Sequence, residues 1–426
     1  MKKNRIAKII SPLLLLFLFI MVSCNQDAIF YAISQETEPK DPRIPGTPTN
    51  IVEFNNAIFA ASSSLHRYAK RDADNNGIAD NEPGPVWDAS SDDNPLKQPG
   101  FRISALAATT EYLYALSLND SGYGDVLKRI KKGNGLGSLA GDWETVSIDT
   151  TDSGAAGYPN FQTLCADSDR LFVGARSSGD SYAILYADDT AVASNGVTNN
   201  LRLLISETGV LSGAAFDGTT HYVSGSGNYG GIFTVSEADL GSKITSGVTG
   251  SPQNSRNIMG MIAVTDNSSN TQIVAITRNG DLLYLNAGDT DFTALKNVGY
   301  STTGSLAVWK AAGGAAANSL LLIGIQGSLT SLTQTYTNGY REAALESGGS
   351  LSTVSDNAPI YDPGNPASGK DTSVASNDRY ASAVGLHPIN FLYQVPAAID
   401  DTMPVFASTQ NYGLWSCRDK QWNAEE

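Results

Sequence analysis

Basic side chains are scarce in this chain: 28 Lys and Arg stand against 43 Asp and Glu, a formal charge of −15. A surface of that sign excludes nucleic acid or an anionic bilayer as a partner held by basic patches. The one internal basic run, Lys128–Lys132, is expected on a solvated edge or loop. Cysteine is nearly absent, at Cys24, Cys165 and Cys417, so no disulfide framework organises the fold. Cys165 and Cys417 fall in separate strand-like runs and are expected as two unlinked, buried thiols. Histidine is equally sparse. His66, His221 and His387 have no ligand-type neighbour three or four residues away, which gives zinc little support.

Several catalytic signatures are also missing. Gly225–Gly230 spells G-x-G-x-x-G, but the strand-like run Gly231–Val235 follows where a dinucleotide site needs a helix. Gly364–Lys370 approaches a P-loop, yet Asp371 stands where Ser or Thr would hold Mg²⁺. No G-x-S-x-G elbow supports a serine nucleophile. The acid pairs Asp92-Asp93, Asp188-Asp189 and Asp400-Asp401 lie in turn-like contexts and are expected on the surface. Hydrophobic runs are short; even the longest, Leu13–Val22, is too brief to span a bilayer.

What the sequence does have is a repeated strand pattern. In Gln272–Asn286 two short apolar runs flank Arg278-Asn279-Gly280-Asp281, where Asn-Gly is expected to supply the positive φ angles of a tight hairpin. Equivalent runs recur at Ala57–Ser62, Tyr112–Ser117, Leu171–Ala175, His221–Gly225, Ile273–Thr277, Leu321–Ile325 and Val405–Thr409. Each is the second strand of its unit; most are preceded by one apolar run and followed by another, giving units of three or four strands with a period near 50 residues, except for the long interval before Val405. Forty-one glycines and only 17% charged residues suit many short strands joined by polar turns.

A four-stranded sheet cannot bury both faces alone, whereas sheets stacked radially can. Over about Ile51–Asn423 the pattern resembles the β-propeller superfamily, with no WD40, kelch or sialidase signature. The expected fold is therefore all-β: one β-propeller over residues 51–426, with seven blades the best count. Six to eight blades fit the spacing, Ile389–Val395 being the strand that would add one. A pair or trio of β-sandwich domains is the competing architecture.

Ahead of it, Lys2, Lys3, Arg5 and Lys8 precede the apolar Leu13–Val22, the layout of a signal peptide over residues 1–23. The following Met21-Val22-Ser23-Cys24 resembles the lipobox of bacterial lipoproteins, departing from it at Met21. That resemblance implies cleavage before Cys24, acylation of Cys24 (palmitate or a similar chain) and a mature formal charge of −19, four basic residues being lost from −15. Pro39, Pro42, Pro45 and Pro48 make residues 24–50 an extended tether. The lipid would bind the membrane. The absence of Asp after Cys24 points to the outer membrane, on its periplasmic or surface face.

Asp72–Asp80 is the best chemical candidate. Its D-x-D-x-N-G-x-x-D spacing sets oxygens and a turn glycine as a hard cation needs them. It resembles the first part of EF-hand and thrombospondin type 3 loops, which implies structural Ca²⁺ on Asp72, Asp74, Asn76, Asp80 and the Ile78 carbonyl. The acidic residue normally at position 12 is replaced by Pro83. Gly348–Asp378 reads as a long polar excursion. Similarity to propeller lipoproteins that assist outer-membrane barrel assembly implies a scaffold for another envelope protein. A carbohydrate-active enzyme and a surface adhesin are the alternatives. An axial channel lined by Ser, Thr and Gly would favour scaffolding, and carboxylates facing an Arg would favour catalysis.

Overall fold

A computed structural model describes residues 44–70, 84–88, 96–100, 102–118, 125–189, 201–227, 230–236, 240, 257–265, 271–286, 292–298, 301–310, 320–326, 339–344, 388–410, 413–418 and 421–425. Their twenty-six strands form seven antiparallel sheets. Blade 1 holds β1 (Asn50–Phe54), β2 (Ala57–Ala61), β3 (Leu65–Ala69) and β4 (Val86–Asp88). Blade 2 holds β5 (Ile103–Ala108), β6 (Tyr112–Leu118), β7 (Asp125–Lys132) and β8 (Leu139–Thr145). In blade 3 these become β9 (Asn160–Asp167), β10 (Arg170–Arg176), β11 (Tyr182–Asp188) and β12 (Arg202–Thr208). Three strands make blade 4: β13 (Val210–Phe216), β14 (Thr220–Ser226) and β15 (Gly231–Ser236). Four make blade 5: β16 (Ile258–Thr265), β17 (Thr271–Thr277), β18 (Asp281–Leu285) and β19 (Thr293–Asn297). Blade 6 has β20 (Thr302–Trp309), β21 (Leu320–Ile325) and β22 (Gly339–Ala344). Blade 7 has β23 (Ile389–Gln394), β24 (Val405–Thr409), β25 (Leu414–Arg418) and β26 (Gln421–Ala424).

The first strands of successive blades touch in a closed circuit, β1–β5–β9–β13–β16–β20–β23 and back to β1. This is the seven-bladed propeller. All seven recurrent apolar runs are the second strands of their blades, and Ile389–Val395 supplies the first strand of the seventh rather than an eighth. Each second strand is buried on both sides because alternate residues serve alternate interfaces. Ile58 and Ala60 face blade 7, whereas Phe59 and Ala61 face blade 2. Leu321 and Ile323 join blade 5, and Leu320 and Leu322 join blade 7. Each such Leu or Ile contributes about 1.5–3 kcal/mol by leaving water, so the core is seven slabs between blades.

One turn and one basic run differ from expectation. At Arg278–Gly280 only Gly280 has positive φ, at 88°; Gly280 donates to the Thr277 carbonyl at 3.0 Å, and the loop has three residues. The two-residue turn with two positive φ angles lies between β1 and β2, at Asn55 (49°) and Asn56 (56°). Lys128–Lys132 is not a loop. It lies within β7, where Arg129 is buried over the Tyr112 ring at 4.6 Å and donates to Glu144 at 3.2 Å.

Candidate functional site

Antiparallel order fixes the direction of every blade. The links from first to second and from third to fourth strand share one end of the ring, and the remaining links share the other. First strands lie at the centre with one edge unpaired, a feature that must be covered or satisfied. Side-chain amides do this. Asn50 donates to the Leu106 carbonyl at 2.5 Å and accepts from the Leu106 amide at 2.9 Å, joining β1 to β5. Gln394 accepts from the Lys310 amide at 2.8 Å and donates to its carbonyl at 2.9 Å. The Leu392 amide donates to Ser305 Oγ at 2.7 Å.

A second device repeats around the ring. In blades 2 to 7 the pairing of first and second strands slips near the start of the first strand. Each slip leaves extra residues that re-aim the strand, as bulges do. Among them Ser212, Met259, Thr303 and Asn390 face an axial channel of about 480 Å³. Ser212, Thr303 and Asn390, together with Asn50, give that end of the channel a collar of neutral hydrogen-bonding groups, interrupted by the apolar Met259. Farther along, Val52, Ala166, Ile262 and Leu306 make the wall apolar.

Toward the other end stand Glu53 and Tyr393, with Phe391 between Tyr393 and the collar. The Tyr393 hydroxyl donates to Glu53 Oε2 at 3.0 Å, and the Phe391 and Tyr393 rings are stacked with centroids 6.4 Å apart. Burial first, then the adjoining Glu53, hold the Tyr393 hydroxyl well above the ordinary tyrosine range, so it remains a donor. Cys165 also lines the wall. Burial, aided by Asp167, pushes its thiol up to about 12, which keeps it protonated and unreactive. Among the described lining residues Glu53 is the one carboxylate, and none is Arg or Lys.

The sequence candidates fall elsewhere. Cys24, the set Asp72, Asp74, Asn76, Ile78 and Asp80, and Gly348–Asp378 lie outside the described residues. Among the described residues no three His, Cys, Asp or Glu converge on a metal position. Cys165 and Cys417 are not linked to each other, as expected, but are half-buried rather than buried. Asp189 and Asp400 are buried, contrary to the surface-turn reading. Asp189 accepts from Thr109 and Tyr114 of blade 2, and Asp400 accepts from Tyr68 of blade 1 at 2.6 Å. His221 Nδ1 similarly meets Asp167 of blade 3 at 2.8 Å, stacked on Phe216. These groups tie neighbouring blades together.

No protein-family model matches the chain, and no curated protein does. Solved structures with a similar chain arrangement include PorZ, an essential bacterial surface component of the type-IX secretion system of Porphyromonas gingivalis. It shows 10% identity and a TM-score of 0.46, over 89% of this chain and 38% of that one. The extracellular domain of the putative hybrid two-component system BT3049 from B. thetaiotaomicron shows 12% identity and 0.44, over 87% and 39%. YCF48 bound to D1 peptide shows 10% and 0.40, over 88% and 95%. This chain thus spans less than two fifths of the length of the first two. Likeness at these scores carries no functional argument; the propeller rests on the sheet topology.

Proposed function

We propose that the chain is a lipid-anchored bacterial envelope protein whose propeller is a protein-binding scaffold. The observation that carries the scaffold reading is the composition of the channel. A neutral collar of Asn, Ser and Thr leads to apolar walls, and one described carboxylate faces a tyrosine hydroxyl rather than a second acid or an Arg. Such a lining favours recognition over the acid–base chemistry of a glycosidase, which needs two carboxyl groups across the scissile bond. The lipobox-like Met21–Cys24 and the Pro-rich tether support the anchor and the outer-membrane address. Crosslinking in intact cells, with partners identified by mass spectrometry, tests the scaffold. Recovery of a reproducible envelope protein is expected, and recovery of glycan alone or of no protein overturns it. Fractionation tests the anchor separately: Cys24→Ser is expected to move the chain from the membrane to the soluble fraction.

Ca²⁺ on Asp72, Asp74, Asn76, Ile78 and Asp80 belongs to the same reading, as a brace for the link between β3 and β4. Millimolar Ca²⁺ is then expected to raise the melting temperature over that in chelator, and Asp74→Ala to abolish the rise. An unchanged melting temperature removes calcium from the proposal.

A further inference from the structure

Six of the seven blade boundaries are crossed by the chain itself, which passes from each blade into the first strand of the next. Those links all reach the collar end, because every first strand begins there. Blades 7 and 1 are the last and first in the chain, so no covalent link joins them. What lies at their boundary instead is the segment just upstream of β1. Ile44 is 1% exposed, in the apolar slab that also holds Ile399, Phe406 and Leu414 of blade 7. Pro48 is buried, and its carbonyl accepts from Ser408 Oγ of β24 at 2.5 Å. Thr49 then turns to blade 1. Its amide donates to the Ala61 carbonyl of β2 at 2.7 Å, joined by its hydroxyl at 3.3 Å.

We propose that Ile44–Thr49 is the clasp of the ring, a non-covalent substitute for the seventh link through which tension on the upstream chain reaches this one boundary. The segment leaves blade 7 and feeds β1, the course that covalent links take at the other six boundaries. Opening those six must stretch continuous backbone. Opening the seventh has only to unseat one apolar side chain and a few hydrogen bonds, which part in turn when the segment is drawn from its upstream end. Tyr68, Asp400 and Arg418 also bond across this boundary, but a load from upstream meets the clasp before it meets them. A lipid on Cys24 is one source of such a load and rests on the anchor reading; the clasp itself does not.

Force-ramp pulling of the full chain tests the path of load, with one handle on the exposed Asn279 of blade 5. The second handle is on Thr37, upstream of the clasp, or on the exposed Ser63 of blade 1, which bypasses it. Pulling from Thr37 is expected to give an early step of at most about 20 Å, at roughly 3.3–3.6 Å for each residue released. Pulling from Ser63 should lack that step, and Ser408→Ala should lower its force. Without load, Ser408→Ala is expected to quicken hydrogen exchange of β24 at least tenfold while β14 keeps its protection. Ile44→Asp should do more, and the surface control Asp142→Asn nothing; if Ile44→Asp does not fold, Ser408→Ala alone decides. Traces alike from both handles, or an early step untouched by Ser408→Ala, overturn the path of load. Unchanged exchange of β24 in folded Ser408→Ala, or exchange quickened equally in β14, overturns the clasp. Neither measurement uses a membrane, so a failed anchor leaves the clasp standing.

Discussion

Asp189 shows what burial does to one acid. It is 4% exposed between blades 2 and 3. Burial drives its carboxyl upward, and hydrogen bonds from Thr109 and Tyr114 with the charge of Arg129 only partly offset it, leaving the group at about 6. The folded state therefore binds this proton more tightly than the unfolded chain, whose Asp titrates near 3.9. Stability from this group is full below about pH 4 and falls as pH rises through 6. Two pH units correspond to about 2–3 kcal/mol. Asp189→Asn, whose one carbonyl oxygen accepts from one of the two hydroxyls while its amide nitrogen donates to the oxygen of the other, is expected to flatten that decline in urea unfolding between pH 4 and 7. Parallel profiles for the two proteins would assign the pH dependence to other groups. None of this was visible in the dipeptide Asp188-Asp189, which has the composition of any polar turn.

At the scale of strands, the channel depends on how closely first strands approach. A Cβ on Gly260 of β16 would collide with the Gly304 carbonyl of β20, and Gly304 itself has φ of 88°. Gly260→Ala must therefore push blades 5 and 6 apart at the collar. We expect a loss of about 3 kcal/mol in denaturant unfolding, as overpacking against backbone gives. Gly84→Ala, where a Cβ meets nothing within 4 Å, should be close to neutral. Second strands were legible in the sequence because burial on both faces writes a continuous apolar run. β13, VLSGAAF, was not, since small residues at the crowded centre carry little hydrophobic signal. β22, GYREAA, hid its place behind Arg341 and Glu342, which are buried at 1% and 2% exposure. Bulges leave no mark on periodicity, so the collar was not readable. Glu53 and Tyr393 meet across 340 positions, a pairing that no local pattern encodes.

For the whole molecule the decisive seam is between blades 7 and 1. Each described blade is continuous in sequence, so no strand is exchanged to lock the ring. Closure rests on side chains and on a few contacts of great sequence separation. Tyr68 donates to Asp400, Arg418 donates to both Asp400 (3.0 Å) and Tyr68 (2.9 Å), and Ser408 donates to the Pro48 carbonyl at 2.5 Å. Tyr68, Trp87 and Phe406 pack together, with ring centroids 5.1–5.2 Å apart. The bonds from Tyr68 to Asp400, from Arg418 to Tyr68 and from Ser408 to Pro48 span 332 to 360 residues, so they repay the loop-closure entropy only after the blades between them have formed. Burial acts upward on Asp400, but the hydrogen bonds from Tyr68, Thr402 and Arg418 outweigh it and hold the carboxyl below the usual range. Its contribution is thus present above the unfolded value near 3.9 and is lost as pH falls through the folded one, opposite in sign to Asp189. Asp400→Ala strands Tyr68 and the half-exposed Arg418, with an expected cost of about 2 kcal/mol at pH 7 that shrinks in acid. Hydrogen exchange should then quicken first in β1 and β24, which border the seam, while β14 and β17 on the far side keep their protection. Exchange that quickened equally in all seven blades would mean that the ring unfolds as one unit and has no weakest seam.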